Sequence, residues 1–265
     1  MPLIQLIILA LVQGITEFLP ISSSAHLVLV PFFTGWSDQG LLIDVAVHVG
    51  TLLAVIIYFW RDVAGMIWGV LSLLTGRRRE GTRLAIFVIV ASIPVVLAGA
   101  ALHRFGPDLF RSVEIIAWTT IGFGLLLGLA DRLYPSTARI DQMRLGGALL
   151  VGLAQCLALI PGTSRSGITM TAGRALGLQR SEAARFSMLL SIPAILGAGL
   201  LAGLDLADAD DARLTGDAVI AGSLAFITAL VAIAAMMAWL KRASFTPFVI
   251  YRVLLGLVLL YALYT

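Results

Sequence analysis

Two short stretches of an otherwise apolar 265-residue sequence carry side chains capable of chemistry. The first reads Gln13-Gly-Ile-Thr-Glu-Phe-Leu-Pro-Ile-Ser-Ser-Ser-Ala-His26. Gln13 and Glu17 are four residues apart, which places them on one face of a helix. A charge near the middle of a bilayer costs about 2.5–3.5 kcal/mol on insertion scales, so Glu17 is a functional candidate by default; the alternative is a solvated Glu17 at the outer interface. Ser22, Ser23 and Ser24 supply hydroxyls that either take part in chemistry or cap the helix that follows. His26 lies two to four residues beyond the serines. Brought close to Glu17, it becomes a candidate general base, acid or nucleophile.

The second stretch reads Pro161-Gly-Thr-Ser-Arg-Ser-Gly-Ile-Thr169. Gly162 and Gly167 permit tight turns of the backbone. A turn of small residues that opens a helix aims N–H groups, including those around Thr163 and Ser164, and the positive end of the helix dipole at an anion. Arg165 adds a planar fork suited to phosphate oxygens. Ser164, Ser166 and Thr169 add donors around it. Arg165 also has a structural alternative, an ion pair with Glu17; the pair can hold the empty site and then part for substrate.

Together the two stretches offer a carboxylate, an imidazole, several hydroxyls and an arginine beside a helix N-terminus. That inventory suits phosphoryl transfer, which needs charge neutralised on the phosphates and a nucleophile placed in line. The sequence has no Walker A motif and no run of His and Asp ligands for a transition metal. A metal, if used, is a hard divalent ion held by Glu17, with Gln13 a weak neighbour, and by the substrate's own phosphates.

The elements that must position these groups follow from composition. Hydrophobic residues make up 60% of the chain and charged residues 12%, against about 25% charged in ordinary soluble domains. The sequence is thus that of an all-α polytopic membrane protein, a single membrane domain over 1–265. Runs at 41–60, 83–103, 114–131, 183–203, 217–240 and 246–264 meet or approach the ~20 apolar residues that cross a bilayer. Regions 1–35 and 145–178 are each broken near their middle by Pro and Ser, and the short run 64–75 reads as interfacial. The N-terminus lacks a basic n-region and carries Gln5, Gln13 and Glu17, so it reads as mature structure, not a cleaved signal. The single Cys156 excludes an intrachain disulfide and a Cys-rich zinc site. The formal charge of +3 is dispersed in small clusters, which argues against a nucleic-acid partner.

Clusters at Arg77, Arg78, Arg79 and Arg83, at Arg132, Arg139 and Arg144, at Arg180 and Arg185, and at Lys241 and Arg242 favour the cytoplasm. The acidic loop 205–211 then faces outward. Counting crossings makes 145–178 a re-entrant hairpin and 1–35 a second one entering from the opposite face. Each half, about 1–135 and 140–265, is one hairpin followed by three spans, with opposite topology. Broken helices meeting in an inverted repeat are best known from transporters, and broken backbone at membrane depth must be buried or line a wet cavity. The two tips are therefore expected to meet at a polar site. Asp44 and His48, four apart, read as structural hydrogen-bonding residues. Arg174 and Arg252 read as solvated or snorkelling arginines, and Tyr58, Phe59 and Trp60 as an aromatic belt at the inner interface.

Gln13-x-x-x-Glu17 followed by Phe-Leu-Pro-Ile-Ser-Ser and His26, together with Pro161-Gly-Thr-Ser-Arg-Ser-Gly-Ile-Thr169, resembles the undecaprenyl-diphosphatase family, bacterial membrane enzymes associated with bacitracin resistance. The likeness covers essentially the whole chain. It implies hydrolysis of undecaprenyl diphosphate to the monophosphate that carries cell-wall precursors, in the plasma (inner) membrane, with a site toward the outer face and a divalent cation, Mg2+ or Ca2+. The family motifs map onto Gln13, Glu17, Ser23 and His26 in the first tip, and Ser164, Arg165 and Thr169 in the second. The first acidic position of the motif is here Gln13, which cannot serve as a charged ligand and shifts that burden to Glu17. Ser23, Ser164, His26 and an activated water all stay open as nucleophile. A polyprenyl-phosphate flippase or another secondary transporter is the alternative from the inverted repeat. The oligomeric state is open, with a homodimer one candidate.

Overall fold

The computed structural model describes residues 2–36, 40–74, 76, 80–105, 112–206 and 212–264. Arg77, Arg78 and Arg79 of the densest basic cluster, and 207–211 of the acidic loop, lie outside the described residues. Helix follows helix: α1 (Leu3–Thr16), α2 (Ser23–Thr34), α3 (Leu41–Tyr58), α4 (Trp60–Leu73), α5 (Glu80–Phe105), α6 (Val113–Leu133), α7 (Leu145–Cys156), α8 (Arg165–Ala175), α9 (Arg180–Leu206), α10 (Ala212–Leu240) and α11 (Thr246–Tyr264). Six of them are long and apolar enough to cross a membrane, namely α3, α5, α6, α9, α10 and α11. These match the six runs expected from the sequence, with ends shifted by a few residues.

Both breaks are where Pro and Ser put them. α1 stops short of Pro20, which disfavours helix in the residue before it, and α2 opens after Ser22. α7 runs into a 3-10 turn at Leu157–Leu159 and stops before Pro161, and α8 opens after Ser164. At 1.5 Å per residue, α7 and α8 are each less than about 20 Å long, too short to cross a ~30 Å hydrocarbon core alone. Their outer ends are tied together. Ala138 and Leu178 form an isolated parallel bridge, with Thr137 N–H and Ala138 N–H on Gly177 O and Gln179 N–H on Ala138 O. Entry to α7 and exit from α8 therefore lie side by side.

Packing crosses between the halves. α1 lies on α10 and α7 lies on α5, while α3 meets α9 and α6 meets α11. The first two contacts depend on glycine. A Cβ at Gly14 would stand 2.7 Å from Thr228 Cβ, and one at Gly152 would stand 2.4 Å from Ala91 O. Close backbone approach through small residues is how helices associate where no hydrophobic effect drives them together.

Two expectations need correction here, and the short run at 64–75 gains a definition: its residues up to Leu73 belong to α4, which begins at Trp60, is not among the six long apolar helices and is seated on α5, where Gly65 faces Gly81 and Gly69 faces Thr82. Phe59 is buried in the core at the α3–α4 break, so it is not part of an exposed aromatic belt. Arg174 is fully buried, its guanidinium bonded to Asp131 Oδ1 at 2.9 Å and to the carbonyls of Asp131, Tyr134, Pro135 and Leu178. Asp131 also takes Arg180 Nε at 2.8 Å and Phe245 N–H. A buried cation with a full set of acceptors satisfies the desolvation cost that snorkelling would otherwise avoid.

Candidate active site

The two breaks are built alike. Ser22 and Ser164 are the positive-φ non-glycine residues among those described, at φ 72° and 70°. Each stands just before its half-helix, and each Oγ accepts the N–H three residues on, from Ala25 at 3.4 Å and Gly167 at 3.1 Å. Strain of this kind persists where the surroundings over-determine it. In the same register before each cap Gln13 corresponds to Gln155, and both are wholly buried with amide atoms that no described group meets.

The residue after each cap reaches the same carboxylate. Ser23 Oγ donates to Glu17 Oε2 at 2.6 Å, and Arg165 Nη2 donates to Glu17 Oε1 at 3.0 Å. Gln13 Nε2 donates to Oε2 at 2.9 Å from one turn back on α1. Glu17 is only 7% exposed, so these donors replace the water it gives up. The tips also touch directly, through Ser166 Oγ donating to Leu19 O at 2.8 Å. Because that bond uses the single hydroxyl hydrogen of Ser166, the 3.1 Å contact between Ser164 Oγ and Ser166 Oγ is donated by Ser164. Ser164 therefore has its proton pointed at a hydroxyl, whereas Ser23 has its proton pointed at a carboxylate.

The second tip is held from behind. Gly162, at φ 88°, lies against α6, where a Cβ would meet Thr119 Oγ1 at 2.2 Å; Thr119 Oγ1 donates to Pro161 O at 2.6 Å. Thr169 bonds Arg165 O at 2.8 Å and Ser187 Oγ at 2.7 Å, and Arg165 Nη1 donates to Ser187 O at 3.2 Å, so α9 fixes the guanidinium. Thr163 is wholly buried with its Oγ1 unmet by any described group. No acceptor among the described residues meets the N–H groups of Arg165 and Ser166, the orphan donors of the first turn of α8.

Three placements differ from those expected. His26 does not face Glu17. Its Nδ1 lies 2.7 Å from Ser22 O and its Nε2 2.5 Å from Tyr251 Oη, with the rings stacked nearly parallel. The imidazole beside Glu17 is His48, whose Nε2 is 3.9 Å from Oε2 and whose Nδ1 meets Asp44 O at 2.6 Å. Arg252 does not snorkel. It is wholly buried, and it donates to Thr120 O at 3.0 Å, to Gly162 O and Thr163 O at 2.9 Å each, and to Pro20 O and Thr119 O at 3.4 Å each. Local sequence carried a partial signal for His48, its spacing from Asp44. For Arg252 the signal was its position well inside an apolar span.

Among the described residues no group of three or more His, Cys, Asp or Glu is placed to hold a metal ion. Gln13 turns its Nε2 toward Glu17 and leaves Oε1 unmet; with the amide turned over, its oxygen beside the carboxylate would fit a hard cation completed by substrate phosphates.

A family model described as bacitracin resistance protein BacA matches residues 6–258. The chain is 56% identical over 262 residues to the undecaprenyl-diphosphatase of Ruegeria pomeroyi, with 98% of each chain covered. It is 54% identical over 267 residues to undecaprenyl-diphosphatase 1 of Rhodospirillum rubrum, covering 98% of this chain and 95% of that one. To the undecaprenyl-diphosphatase of Roseobacter denitrificans it is 52% identical over 267 residues and the full length of both.

Proposed function

The chain belongs to the bacitracin resistance protein BacA family, and on that premise we propose that this multi-pass membrane protein is a hydrolase converting undecaprenyl diphosphate to undecaprenyl phosphate and orthophosphate. The observation that carries the chemistry is the Glu17 carboxylate, shared between Ser23 Oγ on one oxygen and Arg165 Nη2 on the other. A serine hydroxyl against a carboxylate base is a nucleophile held ready. A guanidinium at the mouth of a helix N-terminus is a phosphate seat.

Arg165 leaves Glu17 for the terminal phosphate, which also takes the free N–H groups of the first turn of α8. Ser23 Oγ bonds to that phosphorus as the bond to the bridging oxygen breaks, and Glu17 receives the hydroxyl proton. Undecaprenyl phosphate leaves with the proton that Glu17 received, which returns Glu17 to the carboxylate. Water then attacks the phosphoserine, Glu17 takes the water's proton and passes it to Ser23 Oγ as the Oγ–P bond breaks, and orthophosphate is released. A divalent cation, Mg2+ or Ca2+, would be held by Glu17, by Gln13 with its amide turned over, and by the substrate phosphates, and would neutralise phosphate charge. Gly162, Ser164, Ser166 and Thr169 shape the second tip, and Thr163 packs beneath it. His26 anchors the start of α2 through Ser22 O, and Tyr251 Oη orients its ring.

The inverted repeat is part of this reading. Matching caps at Ser22 and Ser164, matching glutamines at 13 and 155, and the exchanged packing of α1 on α10 and α7 on α5 all support a pseudo-twofold relation. The Ala138–Leu178 bridge supports a hairpin that enters and leaves on one face. The Arg-rich loops then face the cytoplasm of a bacterial inner membrane, with the Glu17 site opening toward the periplasm, so that the lipid carrier is recycled for cell-wall synthesis. Single cysteines at Trp36, Tyr134 and Gln179, labelled from each side of right-side-out vesicles, test the topology. Tyr134→Cys and Gln179→Cys should react from the same side and Trp36→Cys from the other; any other pattern contradicts the inverted hairpins.

A further inference from the structure

Four of the buried or half-buried arginines have a carboxylate beside the guanidinium: Arg165 has Glu17, Arg174 and Arg180 share Asp131, and Arg185 has Asp62 and Glu182. Arg252 has carbonyl oxygens alone, five of them, from three parts of the chain. Pro20 belongs to the first tip, Gly162 and Thr163 to the second, and Thr119 and Thr120 to α6. One guanidinium thus ties both tips to the span behind them.

Its effect on the second tip follows from peptide geometry. The described peptide bonds are all trans, so a carbonyl turned one way places the next N–H on the opposite side. With Thr163 O drawn onto Arg252 Nη2, the N–H of Ser164 faces away from Arg252. The N–H groups of Arg165 and Ser166 follow it as the first turn of α8 begins. The carbonyl edge of the tip is thereby occupied and its amide edge is left to an anion. The guanidinium charge also sits directly behind that edge, without a carboxylate to cancel it, where low dielectric makes it count.

We propose that Arg252 is the positioning residue of the phosphate seat. It fixes the spacing of the two tips and turns the Ser164–Ser166 amides toward the terminal phosphate without touching substrate itself. The proposal rests on the diphosphatase reading of the same site.

The test compares Arg252→Lys, Arg252→Gln and Gly124→Ala with the native protein in detergent. Thermal unfolding, kcat and KM for undecaprenyl diphosphate, and the inhibition constant of orthophosphate are measured on each. A Cβ at Gly124 would lie 2.9 Å from Arg252 Cβ and 3.3 Å from Nε, so Gly124→Ala shifts the arginine without substituting any residue of either tip. The expected result is a rise of about tenfold or more in KM and in the orthophosphate constant for Arg252→Gln, the scale of losing hydrogen bonds to a charged group. Arg252→Lys, which keeps the charge with fewer donors, should bring both back to within about threefold. Gly124→Ala should raise both in the same sense. Unchanged KM and orthophosphate constant in folded Arg252→Gln would overturn the proposal. If that variant does not fold, equal values for native, Arg252→Lys and Gly124→Ala would overturn it. Native protein that binds orthophosphate but releases none from the lipid would instead overturn the diphosphatase reading.

Discussion

Glu17 Oε1 and Arg165 Nη2 stand 3.0 Å apart although 148 residues separate them in sequence. One is carried on the loop after α1 and the other opens α8, so the pair is the point where the two broken regions of the chain meet. Both charges are largely withdrawn from water, with side-chain exposures of 6% and 16%. Either one alone would be an uncompensated charge in the protein interior. On the proposed mechanism substrate phosphate replaces Glu17 as the partner of Arg165, so that one interaction serves both the empty and the occupied site.

The two neighbouring serines of the first tip should separate cleanly. Ser23→Ala removes the hydroxyl that faces Glu17, and is expected to cut kcat by about a hundredfold or more, with a stability loss of about 1–3 kcal/mol from the donor that Glu17 gives up. Ser22→Ala removes a helix cap at positive φ and should lower stability by about 0.5–2 kcal/mol, while Ser22→Gly, which suits that backbone, should lower it less. Loss of stability in Ser23→Ala with retained activity would reverse these assignments.

Gln13→Glu tests the cation. A second carboxylate beside Glu17 gives a hard divalent ion another charged ligand and, without the ion, sets like charges together. The half-saturating concentration of Mg2+ or Ca2+ should fall, and chelator should destabilise Gln13→Glu more than the native protein. An unchanged cation requirement would remove Gln13 from the metal's surroundings.

Tyr251→Phe deletes the hydroxyl on His26 Nε2 and leaves the stacked ring. A fall in kcat of about two- to tenfold, with KM little changed, is the size expected for one hydrogen bond. No change in kcat would show that the His26–Tyr251 bond has no part in turnover.

Asp131→Ala leaves Arg174 buried without its anion. Breaking a buried pair in this way costs about 3–5 kcal/mol, so a large drop in unfolding temperature should appear. Asp131 lies at the end of α6 remote in sequence from both tips, so KM of the surviving folded fraction should stay near the native value.

Run length and charge spacing made the six spans legible, because a helix that faces lipid has to be apolar for its full length. Pro20 with its serines, and Pro161 with Gly162 and Ser164, marked the two breaks, since neither sequence can continue a helix. Glu17 and Arg165 stood out as costly residues in apolar surroundings. What the sequence concealed was the direction in which single polar residues point. Arg252 lies in a span that is apolar around it, so nothing local distinguishes a lipid-facing arginine from one turned onto Pro20 O and Thr163 O. Arg174 likewise needed Asp131, which arrives from another helix. His48, not His26, faces Glu17 because α3 packs alongside the first tip, a register that is set by contacts such as Gly50 against Gly222 and not by neighbours in the chain.

The central claim is that the Glu17–Arg165 junction hydrolyses a lipid diphosphate. It is tested most directly by orthophosphate release from undecaprenyl diphosphate by purified protein, with Mg2+ or Ca2+, with chelator, and in Glu17→Ala and Arg165→Ala variants shown to be folded. Cation-dependent release by the native protein, reduced by about a hundredfold or more in both variants, is the predicted result. Release at native rates by either variant, or none from folded native protein with any cation, would contradict it.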